Sequence, residues 1–134
     1  MADKLFLRIV TPRGLVLEKE VEQLVLPTTA GEVGVLPHHA PYLTTLGAGI
    51  LECLCDNEKI RLVVSEGFCL VNLDRVTLLC DKVFKRDEIN LAEYTKKKDS
   101  LKKTLESSPT FQIEWLNAKK ELDLVEALEK LVSH

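Results

Sequence analysis

After Gly67 the chain contains no glycine, and after Pro41 its one further proline is Pro109. Glycine and proline mark turns between strands, so their absence argues against a turn-rich β structure in the C-terminal part. That part is rich in Lys, Leu, Glu and Ala, which favour helices. The sequence therefore predicts a β domain over residues 1–85 and a helical segment over residues 86–134.

A large excess of charge of one sign and long apolar runs are also missing. The net charge is −3, which leaves no basic field for nucleic acid. No apolar run approaches the roughly 18 residues of a membrane-spanning helix, and the N-terminal residues lack the pattern of a signal or transit peptide. We therefore expect a globular protein that stays where it is made and reaches a membrane only through partners.

The chain has four cysteines, and the one close pair, of the form Cys-x-Cys, is too little for a structural zinc site, which takes four ligands and usually a wider spacing. The cysteines lie in strand-like runs, where a free thiol behaves as a small hydrophobic group. The sequence therefore predicts core packing for all of them and no bound metal. The four are Cys53, Cys55, Cys69 and Cys80.

Short apolar runs separated by turn residues fill the first 85 positions. About nine or ten strands at this spacing are typical of a β-sandwich or flattened barrel. A turn is expected around residues 12–14 and a hairpin turn at residues 56–58. The predicted strands cover residues 4–10, 21–27, 33–37, 42–46, 48–55, 59–65, 67–73 and 76–84.

The C-terminal segment predicts two helices, over residues 87–106 and 111–132, joined by residues 107–110. Asp87 is expected to cap the first helix. Lys98 falls within the apolar stripe of that helix, so its ammonium must reach outward or interrupt the stripe. The stripe contains Leu91, Tyr94, Leu101 and Leu105, and the apolar face of the second helix contains Trp115, Ala118, Leu122, Val125, Leu128 and Val132. The fold class is therefore α+β: a sandwich followed by an antiparallel two-helix hairpin, which must lean on the sandwich or on a partner.

Two adjacent histidines, His38 and His39, lie between prolines in the stretch from Gly31 to Pro41. Neighbours in an extended segment point to opposite faces, so they cannot readily share a metal ion. No acidic partner follows at a ligand spacing, and the glycines match no phosphate-binding pattern. We expect no catalytic residue, metal or cofactor, and a shaped corner instead.

The first helix carries a basic segment that permits two interpretations. It can be an ordinary solvated helix face, or it can dock against an acidic partner or a nucleotide. The segment contains Lys96, Lys97, Lys98, Lys102 and Lys103.

The stretch "GEVGVLPHHAP" matches the pattern G-E-x-G-x-x-P-x-H-A-P. The chain thereby resembles the epsilon subunit of F-type ATP synthases, and "GAGIL" and "SEGF" downstream also fit. The matching residues are Gly31, Glu32, Gly34, Pro37, His39, Ala40 and Pro41.

The resemblance implies a non-catalytic rotor subunit on the central stalk that helps to couple proton translocation to ATP synthesis. It also implies that the helical arm, with the basic segment, reaches transiently towards the alpha and beta subunits and inhibits ATP hydrolysis. The gamma-subunit contacts implied are His39, Thr11, Thr44, Pro41 and Tyr42. The c-ring contacts implied are Gly31, Glu32 and Val33.

The chain departs from the family at the motif [IL]-D-x-x-R-A, with which some members bind ATP. Here Ile89 is followed by Asn90, and Glu93 and Tyr94 replace the arginine and alanine. A glutamate at this position would repel phosphate. We therefore expect weak or absent ATP binding.

Two other functions remain open at this point: a stand-alone protein-binding module, and a small enzyme that uses His39. The resemblance also implies a place at the cytoplasmic face of a bacterial plasma membrane or at the stromal side of a thylakoid. Whether the arm rests against the sandwich or extends from it is open.

Overall fold

The computed structural model describes residues 4–107 and 113–133, and for His39, Ala40, Leu91 and Ser133 it describes the backbone alone. Within these residues ten strands are followed by a 3-10 turn and two helices, α1 (Leu91–Ser107) and α2 (Ile113–Ser133). The strands are β1 (Leu5–Thr11), β2 (Gly14–Val21), β3 (Gln23–Thr28), β4 (Gly31–Val35), β5 (His39–Leu46), β6 (Gly49–Cys55), β7 (Glu58–Val64), β8 (Gly67–Leu73), β9 (Arg75–Cys80) and β10 (Val83–Phe84).

The strands form one folded sheet in the order β10-β7-β6-β3-β5-β8-β9-β1-β2, and β4 pairs with β3 beside this path. We call β10-β7-β6-β3 the first layer and β5-β8-β9-β1-β2 the second layer. They join where Thr28 of β3 pairs with Leu46 of β5. Buried side chains of both layers form one core. The predicted sandwich followed by two helices is confirmed.

Alternation along β1 shows why these residues form a strand. Leu5, Leu7 and Ile9 are 0% exposed, whereas Phe6 and Arg8 point away from the core. Burying each aliphatic side chain contributes about 1.5–3 kcal/mol. A period of two thus places one face of the strand between the layers.

The hairpin turn expected at residues 56–58 is present. Asp56 and Asn57 have φ of 50° and 65°, and Cys55 pairs with Glu58 on the facing strand. Positive φ at both turn residues gives the twist that two-residue hairpins require.

Two parts of the sheet differ from the prediction. Residues 15–20, which the sequence did not assign to a strand, belong to β2, where Glu18 Oε1 lies 3.0 Å from Arg8 Nε of β1. Charged residues have a low intrinsic preference for strands, so it is the pairing with β1 that makes residues 15–20 part of a strand. Residues 76–84 form two strands instead of one. The N–H of Lys82 donates to Ser65 Oγ (2.7 Å) where the chain passes from the second layer to the first.

The first helix begins later than predicted. Arg86–Glu88 form a 3-10 turn, and Ile89 is extended with φ −92° and ψ 121°, so an α-helix cannot run through it. The expected capping role of Asp87 is therefore wrong, because α1 starts at Leu91. Of the link predicted over residues 107–110, Ser107 instead ends α1. Residues 108–110 lie outside the described residues, as do residues 111 and 112 of the predicted second helix.

The second helix packs across the outer side of β6 and β7. Val63 of β7 is 0% exposed and forms a cluster with Ala127, Leu128 and Leu131. The face predicted for α2 is largely confirmed, with Ala118, Leu122, Val125 and Leu128 buried and Trp115 and Val132 half-buried. The arm thus lies against the first layer. This packing buries apolar side chains of the arm that a two-helix hairpin cannot bury alone.

Three of the four thiols lie in the core as predicted, and Cys55 is only half-buried. Burial raises the pKa of Cys69 to about 12 and that of Cys80 to about 11. Burial also raises the pKa of Cys53. These buried thiols therefore stay protonated at neutral pH and act as apolar packing.

Candidate interaction faces of the sandwich and the arm

The outer side of the second layer carries large apolar side chains that the core does not use. Leu43 pairs with Leu70 across β5 and β8, and Phe68 pairs with Leu79 across β8 and β9. These four, between 50% and 69% exposed, are here called the outer apolar face. Paired neighbours on one side of a sheet form a contiguous patch, and such exposed patches mark contact sites.

Sequence reasoning missed this face. The run "GFCLVNL" is apolar at both alternating positions, so it does not show which set faces the core. In the structure Cys69 and Val71 are buried, and Phe68 and Leu70 point outward. Apolar residues at both the odd and the even positions of an antiparallel strand indicate that both of its sides are covered. This pattern in β8 was the sequence signal for the outer apolar face.

The residues that the sequence associates with gamma lie at several places on the second layer. Tyr42 and Thr44 pair with the buried Val71 and Cys69, so they lie on the inward parity of β5. Pro41 is exposed. Thr11 lies at the turn between β1 and β2, where its Oγ1 accepts the N–H of Arg13 (3.2 Å). The side chain of His39 lies outside the described residues. The structure therefore does not bring this set together on one face.

The three residues associated with the c-ring lie just after the turn between β3 and β4. Thr28 Oγ1 donates to the carbonyl of Gly31 (2.5 Å) and accepts the N–H of Ala30 (3.2 Å). Gly31 has φ 118°, a conformation that other residues rarely adopt. Glu32 is exposed, and Val33 packs partly against the core. The turn thus projects one carboxylate from a rigid backbone.

The basic segment splits into two environments. Lys96, Lys102 and Lys103 are exposed, and exposed Lys97 holds its Nζ 5.8 Å from the ring centre of Tyr94. The ammonium of Lys98 does not reach outward. Its Nζ lies 3.1 Å from Glu129 Oε1 of α2, so an ion pair between the helices accommodates this lysine within the apolar stripe. Four of the five lysines are therefore presented to solvent.

The degenerate nucleotide motif lies where the sandwich meets the arm. Ile89 packs against the cluster around Val63, while Asn90 and Glu93 are exposed. The ring of Tyr94 meets Phe84 of β10 edge-to-face at 6.0 Å. A large aromatic side chain thus stands at the position where the motif [IL]-D-x-x-R-A has alanine.

Polar contacts hold the docked α2 in place at two positions, one in its first half and one near its C-terminal end. Lys120 Nζ lies 2.9 Å from Glu66 Oε2, and Arg86 donates to the carbonyl of Val132 (3.1 Å). A cleft of about 380 Å³ lies beside Lys120, between α2 and the ends of the first-layer strands. Acidic and basic groups both line it, and Glu66 and Lys120 neutralise each other across it.

Two observations on the described residues concern the predictions of no bound metal and no membrane-spanning helix. Among residues 4–107 and 113–133 no three His, Cys, Asp or Glu side chains are grouped for a metal ion. Neither described helix is long and apolar enough to cross a membrane.

Comparison with known proteins agrees with the motif and the fold. The family model for the ATP synthase, Delta/Epsilon chain, beta-sandwich domain matches residues 4–86. The ATP synthase epsilon chain of Magnetococcus marinus is 33% identical over 121 residues, which cover 90% of this chain and 88% of that protein. The epsilon chain of Dehalococcoides mccartyi is 45% identical over 89 residues, 66% of this chain and 64% of its own length.

A solved structure shares the whole architecture. A chain in the cryo-EM structure of Euglena gracilis mitochondrial ATP synthase, OSCP/F1/c-ring, superposes with a TM-score of 0.82 at 24% identity and covers 95% of this chain and 80% of that one. At this identity the likeness establishes the fold. The family match and the relatives confirm the resemblance and the prediction of a non-catalytic subunit in place of an enzyme. The chain belongs to the epsilon-chain family of ATP synthases.

Proposed function

We propose that this chain is a rotor subunit on the central stalk of an ATP synthase and helps to couple proton translocation to ATP synthesis. The outer apolar face is the observation that carries the proposal, because the arm covers the first layer and leaves this face of the second layer open. Relatives are named epsilon chains, and the Euglena structure contains F1 and a c-ring.

The two candidate faces of the sandwich suit different partners. The outer apolar face binds the gamma subunit, since large apolar contact supports a lasting attachment. His39, Pro41 and Thr11 lie around it at the ends of β5 and β1. The turn with Gly31 and Glu32 contacts the c-ring through a single projecting carboxylate.

Variants of matched exposure test the gamma contact. Leu70→Ser removes an exposed leucine from the outer apolar face, and Leu116→Ser removes one of similar exposure (50% and 48%) from α2. We expect Leu70→Ser to weaken binding to purified gamma subunit by about tenfold or more, because central apolar residues dominate interface energies. Leu116→Ser should bind as the unchanged chain does. Equal binding by all three proteins would contradict the assignment of this face.

The arm restrains ATP hydrolysis when it leaves the sandwich. Four exposed lysines give α1 a positive surface, which complements acidic segments of catalytic subunits. Replacing Lys96, Lys97, Lys102 and Lys103 by Gln should raise ATP hydrolysis by the reconstituted complex while coupling is kept. Unchanged hydrolysis would favour the alternative, an arm that only stabilises the stalk.

The complex places the chain at a membrane, and neither described helix could cross one by itself. In a bacterium this is the cytoplasmic face of the plasma membrane, and in a chloroplast it is the stromal side of the thylakoid. One relative is the epsilon chain of Magnetococcus marinus, and another, from Cyanidioschyzon merolae, is named chloroplastic. Copurification with the gamma and c subunits tests the assignment and separates it from a stand-alone binding module.

A further inference from the structure

Two turns at one end of the second layer hold side chains in an unusual backbone conformation. His38, between β4 and β5, has φ 65°, and Leu73, at the end of β8, has φ 55°. Glycine adopts this left-handed region freely, whereas a residue with a side chain meets a steric cost there. The surrounding structure must therefore hold both residues in place.

Asp74 connects the segments that meet here. Its Oδ1 accepts the backbone N–H of His38 at 2.8 Å and lies 3.5 Å from His38 Nδ1. Its carbonyl accepts the N–H of Phe6 on β1 at 2.7 Å. The next residue after His38, the first of β5, pairs with Leu73. One aspartate thus joins β1, the β4–β5 turn and the β8–β9 turn.

This corner presents apolar side chains to solvent. Leu36 directly follows β4 and is 58% exposed, and Leu73 ends β8 and is 67% exposed. Leu73 comes three residues after Leu70 of the outer apolar face, and its left-handed φ interrupts the alternation of β8 at the end of the strand. A strained, exposed leucine at the end of a strand is a feature of contact surfaces, because folding alone gains little from it.

We propose that Asp74 is a positioning residue that holds this corner in the conformation that binds the gamma subunit. The corner, defined by Leu36, His38 and Leu73, lies at one end of the layer that carries the outer apolar face. This inference rests on the proposed function, since gamma is the partner assigned to that face. His38, which occupies a variable position of the family motif, then has a defined role through its backbone.

The physical effect is pre-organisation of the corner. Without the carboxylate, the left-handed conformation of His38 is deprived of a charge-assisted hydrogen bond and other turn conformations become populated. Apparent affinity falls in proportion to the fraction of chains that keep the binding conformation. Removal of such a bond corresponds to about a tenfold lower affinity.

Three variants of the full chain test this with purified gamma subunit. Asp74→Ala removes the acceptor, Asp74→Asn keeps an oxygen that can accept the same N–H, and Asp87→Ala removes an exposed carboxylate outside the sandwich. We expect binding about tenfold weaker for Asp74→Ala, and within about threefold of the original for the other two. Affinity is measured well below each variant's unfolding temperature, so that a decrease in fold stability alone does not alter it.

The outcomes separate this inference from the function on which it rests. Unchanged affinity for Asp74→Ala, with Leu70→Ser still weakened, overturns the positioning role and leaves the function standing. Equal weakening by Asp74→Asn and Asp74→Ala also overturns it, because the hydrogen-bond acceptor would then not be the cause. If the unaltered chain fails to bind gamma, the proposed function itself fails.

Discussion

Lys98 Nζ lies 3.1 Å from Glu129 Oε1, and this partly buried ion pair, with side chains 25% and 32% exposed, joins the two helices of the arm. The carboxylate oxygen is buried and has no hydrogen-bond partner among the described residues. The ammonium is therefore the charge that compensates it. A buried carboxylate that loses its counter-charge costs free energy, whereas an exposed pair contributes little.

We predict that Lys98→Met destabilises the arm by about 1–2 kcal/mol, because Glu129 then keeps an uncompensated charge. Adding Glu129→Gln should recover most of this stability. Chemical denaturation followed by the helical circular dichroism signal measures both. The control is Lys119→Met, since Lys119 lies 3.2 Å from Asp123 in a more exposed pair (side chains 48% and 43% exposed); its effect should stay under about 0.5 kcal/mol. Equal effects at the two lysines would contradict a special role for the partly buried pair.

Leu128→Ala should release the arm from the sandwich without unfolding the sandwich. Leu128 is 0% exposed and packs with Val63 of β7. Truncation of such a residue costs about 2–4 kcal/mol, and the packing that it removes is the packing between arm and sandwich. Hydrogen exchange should become faster in α2 while the β1 amides stay protected. Leu116→Ala, at a 48% exposed position, serves as the control. Faster exchange throughout the sandwich would show that the two parts unfold together.

Gly67→Ala should lower the free energy of unfolding by about 3 kcal/mol or more. A Cβ at this position would lie 1.9 Å from the carbonyl oxygen of Leu79 and 2.8 Å from Cys80 Cα, and backbone cannot move aside cheaply. Gly34→Ala is the matched control in another strand, because no atom would lie within 4 Å of its Cβ. Denaturant midpoints of both variants measure the difference. A mild effect at Gly67 would mean that β8 and β9 can separate locally.

The buried thiols predict a decrease in stability at alkaline pH. Burial raises the pKa of Cys69 from 9.0 to about 12 and that of Cys80 to about 11. The folded chain therefore holds these protons more tightly than the unfolded chain does. Their contribution to stability is complete below about pH 9 and declines as pH rises through the folded pKa values. Above about pH 9, the free energy of unfolding should decrease less steeply with pH in a Cys69→Ala, Cys80→Ala double variant than in the unaltered chain. Identical slopes would contradict the linkage.

Thiol labelling gives an independent reading of the same burial. Cys55 is half-buried, and the other three cysteines are buried. A thiol reagent should react first with Cys55 in the folded chain and with the remainder only after denaturant is added. Rapid labelling of several thiols without denaturant would contradict this order.

ATP should bind weakly to the isolated chain. Glu93 is exposed where a phosphate-binding arginine stands in some relatives, and Tyr94 packs on Phe84 at the adjacent position. Calorimetry should show no binding at micromolar ATP, and Glu93→Arg with Asn90→Asp should strengthen it, since repulsion becomes attraction. Micromolar or tighter binding by the unaltered chain, independent of magnesium, would contradict the prediction.

The parts of the fold that follow from local pattern were predictable. Turn residues and short apolar runs indicated the sandwich, and the absence of glycine after Gly67 marked the change to helices. The start of α1 was not predictable from Asp87, because the extended conformation of Ile89 depends on its packing against the first layer. The strand β2 was missed because its stability comes from pairing with β1.

The candidate site divides in the same way. The motif around Glu32 and His39 identified the family and pointed to a docking surface, since it records residue types in order. It did not reveal the outer apolar face, because β8 is apolar at both parities and sequence alone cannot say which set is buried. It also left His38 at a variable position without a role, since the contact of His38 with Asp74 joins residues far apart in the chain.

By itself, then, the sequence determined the fold class, the family and the change from strands to helices, because these depend on local periodicity and residue type. Only the tertiary structure decided which apolar side of each layer is covered, which charge faces Lys98 and which residue holds His38. These depend on contacts between distant segments. Such contacts form when the layers and the arm pack together, and no local pattern specifies them.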